Sequence, residues 1–453
     1  PAAPVPTTSQ AILDQAVEPS LASAAGTKPS WSTFSAAAEE AGESRLSLRR
    51  VNLGAVRSRK AGAPWRVQPT SRSNSHRLIP SRTSLAWPRA DRTNSVDAQS
   101  EYARGAPTPR EFSMTVKTIL VTGISGFIAK HCAIELMRHG YVVRGTLRSL
   151  KKADEVRATL AKQCDCAGLE FAEADLLADR GWDAAMQGID GVLHLASPFP
   201  LAEPKDPDEL LRPAVDGTLR VLKAAIAAKV PRLVQTSSMA AVAYGHPRSR
   251  TAPFTEDDWT VTDAPGVGAY TRSKTLAERA ARDFIASTHP ALHFSTVNPG
   301  LVLGPLLDRD IGTSGETLQM FLRGKYPACP KLAFAVVDVR DVAKMHRLAL
   351  ESDAPSGGRY IAASGMAWFV EMMRPVKTQL GSKARKVPTV ELPNFVVHLF
   401  ALFDPASRLV LPELGRRIEI DNRRTRVALG MTFIPVEESA PAMARSLIDL
   451  DLV

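Results

Sequence analysis

From residue 118 onward, short apolar runs alternate with stretches whose apolar residues recur at helical spacing. The runs 118–122, 141–147, 169–174, 191–196, 232–237 and 292–298 have the length of buried strands. Residues 127–139, 151–163, 207–229 and 269–287 carry the period of amphipathic helices. Strands and helices that alternate in this way predict βαβ units, and so an α/β fold with a doubly wound parallel sheet covered on both faces. No internal repeat interrupts the pattern.

Residues 1–113 lack either period and are rich in Ser, Pro, Ala and Arg, a composition that predicts disorder. They carry 15 Lys and Arg against 9 Asp and Glu, so much of the net charge of +10 belongs to them. The basic balance of the chain is therefore no argument for a nucleic-acid partner. Asp14, Glu18, Glu39, Glu40 and Glu43 also fit poorly with an organellar leader. The segment reads as a disordered or spurious extension, with Met114 as the start of the folded protein. Four cysteines in 453 residues make no disulfide framework, and point to a reducing, cytoplasmic setting. Cys164 and Cys166 have no second ligand pair at metal spacing, so no metal is expected. No apolar run reaches 18 residues, so no membrane span is expected; the apolar stretch 395–403 is short and reads as a buried helix or a pocket lining.

Candidate chemistry starts at Thr122-Gly123-Ile124-Ser125-Gly126-Phe127-Ile128-Ala129, between the first strand and the first helix. Gly123 permits a tight turn, Gly126 lets the backbone approach a pyrophosphate, and Ala129 lets the helix pack closely on the sheet. The helix N-terminus offers unpaired N–H groups to the phosphates. A plain βα turn would share the glycines, but strand, turn and helix agree here with a dinucleotide site. An NAD enzyme would place an acid at the end of the second strand for the ribose 2′-OH. Here Arg144-Gly145-Thr146-Leu147-Arg148-Ser149-Leu150-Lys151-Lys152 has none. Arg148, with Lys151 or Lys152, suits a 2′-phosphate, so NADP(H) is expected rather than NAD, with Arg144 the weaker candidate.

Tyr270 and Lys274 stand at i and i+4 on a predicted helix and share one face. A nearby ammonium favours the phenolate, and the expectation is that Lys274 lowers the pKa of Tyr270. The run 232–237 ends beside Ser238, at the strand edge where an α/β sheet presents its functional groups. Such a Ser can bind a substrate carbonyl. His194, at another strand end, is read as a packing residue rather than a base.

These motifs together resemble the dihydroflavonol reductase-like branch of the extended short-chain dehydrogenases. The match runs from 118 to about 440: VTGISGFIAKH at 121–131, DLLADRGWDAAMQGIDGVLHLASP at 175–198, RLVQTSS at 232–238, EDDW at 256–259, YTRSKTLAE at 270–278, NPGLVLGP at 298–305 and DVRDVA at 338–343. The resemblance implies a Rossmann domain over 114–300 and a smaller substrate-binding lobe over 301–453, interleaved with the Rossmann sheet. It implies Ser238, Tyr270 and Lys274 as the catalytic set. It places Gly123, Ser125, Gly126, Phe127 and Ile128 at the phosphates, Asp175 and Leu176 near the adenine, Ala196 and Ser197 near the nicotinamide ribose, and Pro299 against the nicotinamide. Plant flavonoid reductases carry Asn five positions after the catalytic Ser; this chain has Ala243, which argues against a flavonoid. Asp216 stands where many extended members have Asn and is given no catalytic role.

The expected reaction is hydride transfer between NADPH and a ketone or aldehyde, or the reverse. Phe395, Leu399, Phe400, Leu402 and Phe403 favour an apolar small-molecule substrate. The alternatives are a nucleotide-sugar epimerase, a 3-hydroxysteroid-type dehydrogenase, or a dinucleotide sensor without chemistry. The expected assembly is a monomer or homodimer, with no nucleic acid bound.

Overall fold

A computed structural model describes residues 117–197, 206–354, 356–402 and 410–453. The expectations for 1–113, for Met114 and for Phe403 lie outside these residues. The elements that build the site are β1 (Thr118–Thr122), α1 (Phe127–Arg138), β2 (Val142–Leu147), α2 (Ala153–Ala161), β3 (Glu170–Glu173), α3 (Trp182–Met186) and β4 (Gly191–His194). They continue with α4 (Asp208–Ala227), β5 (Arg232–Thr236), α5 (Ala269–Thr288) and β6 (His293–Pro299). Later come β7 (Leu301–Leu303), α6 (Gly312–Leu322), β8 (Cys329–Pro330), β9 (Ala333–Asp338), α7 (Val339–Glu351) and β10 (Gly358–Ala362). The last elements are β11 (Gly365–Trp368), α8 (Phe369–Leu380), β12 (Glu391–Leu392), α9 (Asn394–Phe400), α10 (Arg423–Ala428) and α11 (Val436–Asp449).

Seven strands form one parallel sheet in the order β10-β6-β5-β4-β1-β2-β3. The predicted strand runs all appear in it, with ends that agree to within two residues. Its central strands are apolar throughout because both faces are covered: β1 is buried from Ile119 to Thr122 and β4 along its whole length. On one face, α1 and α7 close a core that includes Val121, Leu193, Val234 and Val297. On the other, α4 and α5 close a core of Leu120, Val192, Leu233 and Phe294. Each fully buried side chain of this size stabilises the fold by about 1.5–3 kcal/mol. The order reverses between β1 and β4, which opens a crevice at the C-terminal ends of those strands, the place where such sheets take ligands.

β10 comes from beyond residue 300 and returns to extend the sheet at β6. A three-stranded sheet β11-β9-β7 and the helices α6, α8 and α11 surround a separate apolar core. The stretch near residue 395 departs from the buried helix that its apolarity predicts. Helix α9 buries Val397 against this second core, but Phe395 is 72% exposed and Leu399 51%. A helix this short offers one inward row, and Val397 occupies it. No helix among the described residues is long and apolar enough to cross a membrane.

Three buried histidines make the fold acid-sensitive. Burial pushes His131 down to about 4, His346 to about 4 and His194 to about 3. Below pH 6.5 the unfolded chain takes up protons that the folded chain refuses, so stability falls as pH drops through this window. Asp341, which burial pushes up to about 6, has the opposite sign and offsets one of the three between pH 6 and 4. The net loss expected from pH 6 to pH 5 is about 2–3 kcal/mol. Urea unfolding at the two pH values measures it, and equal stabilities would contradict the assignment.

Candidate active site

The turn after β1 is shaped by backbone approach. Gly123 has φ +65°, and a Cβ on it would lie 3.1 Å from that of Ala196. Its N–H donates to Thr146 Oγ1 at 3.0 Å, and the N–H of Gly126 donates back to the Gly123 carbonyl at 3.0 Å. Gly126 then caps α1 with no side chain, and the first turn of the helix carries no acid. The first-turn N–H groups therefore face the crevice unscreened, as a pyrophosphate requires.

Thr122 closes the next strand end. Its hydroxyl accepts from the N–H groups of Leu195 and Ala196, at 3.0 and 2.9 Å, so its single proton goes to His194 Nδ1 at 2.9 Å. His194 is thus a neutral acceptor, held that way by burial and by the nearby charge of Lys274. It orders the strand ends and has no part as a base.

Arg148, Lys151 and Lys152 are exposed at the end of β2 and form no ion pair among the described residues. Arg144 is already committed: it pairs with Glu170 at 2.7 Å and donates to the carbonyl of Gln187 at 2.6 Å. Asp175 and Leu176 follow β3, where the Asp175 carboxylate accepts the N–H of Leu177 at 3.0 Å. Ala196 and Ser197 follow β4, Ser238 follows β5 and Pro299 ends β6. In the order of the sheet, the residues expected to hold the cofactor thus run along a single edge, from β3 to β6.

At the β5 end, Ser238 lies extended and its Oγ accepts the N–H of Ala240 at 3.1 Å. The Tyr270 phenol is hydrogen-bonded to Ser238. Lys274 stands one turn along α5, with Nζ 5.9 Å from the centre of the Tyr270 ring. Its side chain is buried and its ammonium has no hydrogen-bond partner among the described residues. The expected electrostatics need correction. Burial pushes the Tyr270 phenol up, with the Ser238 bond pulling the other way, and Lys274 does not lower it. At this separation the ammonium acts on the ring face rather than on the hydroxyl. Burial also pushes Lys274 itself down, to about 8.

One feature of the site escaped the sequence reading. Glu278 continues the face of Tyr270 and Lys274 by one more turn of α5 and is fully buried. It accepts from Ser237 Oγ at 2.6 Å, Asn298 Nδ2 at 2.8 Å, Thr296 Oγ1 at 3.1 Å and Arg282 Nε at 3.1 Å. Arg359 Nε, from β10, adds a bond of 2.7 Å. Burial opposes its charge, yet Arg359 and Arg282 hold the carboxyl below its usual range. The rest of the Arg359 guanidinium binds the carbonyls of Ala241, Glu256 and Asp258, and it stacks 3.9 Å over the Trp259 ring. The residues before Ser238 and Pro299 are thereby tied to one carboxylate. The i+4, i+8 spacing in YTRSKTLAE is the signal that could have found Glu278; nothing local points to Arg359.

Residues 119–363 match the family model described as the NAD dependent epimerase/dehydratase family. A cinnamoyl-CoA reductase of Medicago truncatula is 36% identical over 286 residues, which are 61% of this chain and 82% of the relative. The ketoreductase azaE of Aspergillus niger is 32% identical over 333 residues, 70% of this chain and 93% of the relative. The solved structure of Gre2 in complex with NADPH, from Candida albicans, has a TM-score of 0.62 at 28% identity, covering 74% of this chain and 99% of that one.

Proposed function

We propose a function from one premise: the chain belongs to the NAD dependent epimerase/dehydratase family. Within it, this protein is an NADPH-dependent carbonyl reductase that converts an aldehyde or ketone to the alcohol, one proton being consumed for each NADPH oxidised. The observation that carries this reading is the bonded pair Ser238–Tyr270 beside the buried Lys274, whose ammonium lies over the Tyr270 ring, at the sheet edge that Gly123 and Gly126 open. A ketoreductase and a cinnamoyl-CoA reductase among its relatives, and the NADPH complex of Gre2, support the same chemistry.

The residues present fit NADPH. Gly123 and Gly126 leave a cradle that side chains would fill, and the N-terminus of α1 faces it. Arg148, Lys151 and Lys152 would take the 2′-phosphate, and Lys274 the nicotinamide ribose. When bound, NADPH supplies the hydride. Ser238 holds the carbonyl oxygen, and Tyr270 gives it the proton as negative charge develops, a preorganised stabilisation of that charge. The raised pKa of Tyr270 suits this direction, because the phenol enters the reaction protonated. Pro299 would back the nicotinamide. We place the substrate against the lobe beyond residue 300, where exposed Phe395 and Leu399 favour an apolar body, and the reaction in the cytoplasm. Deuterium carried on C4 of NADPH and recovered on the carbinol carbon tests the reading; loss of the label to water would refute it.

Two expectations follow for the site. Reductive kcat/KM should hold steady at neutral pH and decline with an apparent pKa of about 8, as Lys274 loses its proton. A profile flat to pH 10 would remove Lys274 from the mechanism. Arg148→Asp should weaken NADPH binding by about 10- to 100-fold, the worth of a charge-assisted hydrogen bond, and relatively favour NADH. Direct titration of both cofactors checks it, and wild-type preference for NADH would overturn the assignment.

A further inference from the structure

We propose that Gln235 is a positioning residue for the cofactor: its side-chain oxygen takes the Nε2 proton of His194 and so secures the bonds by which Thr122 holds Leu195 and Ala196. The proposal rests on the reductase reading only in placing NADPH in the crevice beside Gly123. Five buried polar residues stand in register across the sheet. Thr122 is paired with His194, His194 with Gln235, Gln235 with Thr296 and Thr296 with Arg359, each on the adjacent strand. In-register residues of parallel strands turn to the same face, about 4.8 Å apart. The bonds within the row agree: Thr122 meets His194 at 2.9 Å, and Thr296 and Arg359 share the carboxylate of Glu278. The next residue of β5, Thr236, turns to the opposite face and bonds His346 at 2.7 Å. Elsewhere on the face of the row, the strands contribute Leu120, Val192, Leu233 and Phe294, so a polar row there departs from the apolar packing around it.

Gln235, in the middle of the row, carries an open valence. It is only 4% exposed, and its Oε1 accepts from no described residue. A buried amide oxygen left in that state costs stability. Its neighbour has the matching need. His194 accepts the Thr122 proton at Nδ1, so the neutral ring carries its own proton at Nε2, which meets no acceptor among the described residues. Nδ1 faces β1, which turns Nε2 away from that strand, and Gln235 is the in-register residue on the other side of β4. An open acceptor on one strand therefore adjoins an open donor on the next. A turn about the soft last torsion of Gln235, or one bridging water, joins them.

The place of that proton decides what Thr122 can hold. Its oxygen has two lone pairs, and the N–H groups of Leu195 and Ala196 use both, at 3.0 and 2.9 Å. With the proton moved to Nδ1, His194 becomes a third donor to the same oxygen, and the Thr122 hydroxyl loses its acceptor. One of the two backbone bonds is then given up. Ala196 walls the turn at Gly123, where an added Cβ would lie 3.1 Å from its own. The loss is thus felt where the pyrophosphate and the nicotinamide ribose are placed.

The test reads the tautomer and the cofactor together. The full chain is prepared with isotopically labelled histidine, and the ring-nitrogen resonances of His194 are identified by their loss in His194→Asn. They are then recorded in wild type, Gln235→Met and Gln235→Glu, with NADPH affinity measured on each protein by fluorescence titration. Wild type should show one tautomer, protonated at Nε2. Gln235→Met keeps the length and removes the acceptor; it should show a mixture of tautomers and bind NADPH about 5-fold less tightly, the net worth of one hydrogen bond. Gln235→Glu keeps an acceptor and should retain the Nε2 proton and most of the affinity. Wild-type His194 protonated at Nδ1 would overturn the proposal, and that readout needs no variant to fold. A tautomer or an affinity unchanged in Gln235→Met, whatever its Tm, would overturn it too, because the side chain would then only pack. If tautomer and NADPH affinity follow Gln235 in a protein that reduces no carbonyl, the reductase reading fails and the role of Gln235 stands.

Discussion

Replacing Tyr270 by Phe is expected to lower kcat by about 100-fold or more, the usual worth of a positioned general acid. The substitution removes the group to which the proposed mechanism gives the proton transfer, and almost no volume. Ser238 would keep its bond to the N–H of Ala240 and still occupy the end of β5. NADPH affinity should therefore stay near that of wild type, because Lys274 and the turn at Gly123 are untouched. Single-turnover NADPH oxidation and a fluorescence titration of the cofactor separate the two effects. Near-wild-type kcat in Tyr270→Phe would mean that the proton comes from elsewhere and that the assignment fails.

The second large effect is on stability. Glu278→Leu leaves the guanidinium groups of Arg359 and Arg282 buried without their carboxylate, a change that typically costs about 3–5 kcal/mol. That is a large part of the roughly 5–15 kcal/mol that holds a folded domain together. Ser237 and Asn298 lose an acceptor as well, so the strand ends that present Ser238 and Pro299 lose their common anchor. Glu278→Gln keeps the shape and some of the bonds and should fold, with kcat reduced more than NADPH affinity. Urea unfolding of both variants measures this; a cost under about 1 kcal/mol for Glu278→Leu would show that water or other partners satisfy the two arginines.

Features confined to a strand and the turn after it were legible in the sequence. The apolar runs located the strands, and the glycines at 123 and 126 needed only a strand before and a helix after to identify the crevice. Tyr270 and Lys274 were legible for the same reason, since four residues on one helix fix a shared face. Ser238 followed from its place at a strand end. Arg359 was not legible, because it meets Glu278 from 81 residues away, through a strand that only the closed sheet brings back. The direction of the Tyr270 shift was hidden too. The YxxxK spacing suggested a cation's pull, but burial, which the spacing does not report, decides it. Phe395 and Leu399 misled because an apolar run reports what can be buried, while the single inward row of α9 decides what is.

The central claim is tested most directly by incubating the purified full chain with NADPH and a panel of aldehydes and ketones, oxo acids included, while NADPH consumption and alcohol formation are followed together. The account expects at least one carbonyl to yield one alcohol per NADPH oxidised, with NADH a poorer donor. NADPH that binds at the site yet reduces nothing across the panel would contradict it and leave a dinucleotide-binding protein without this chemistry.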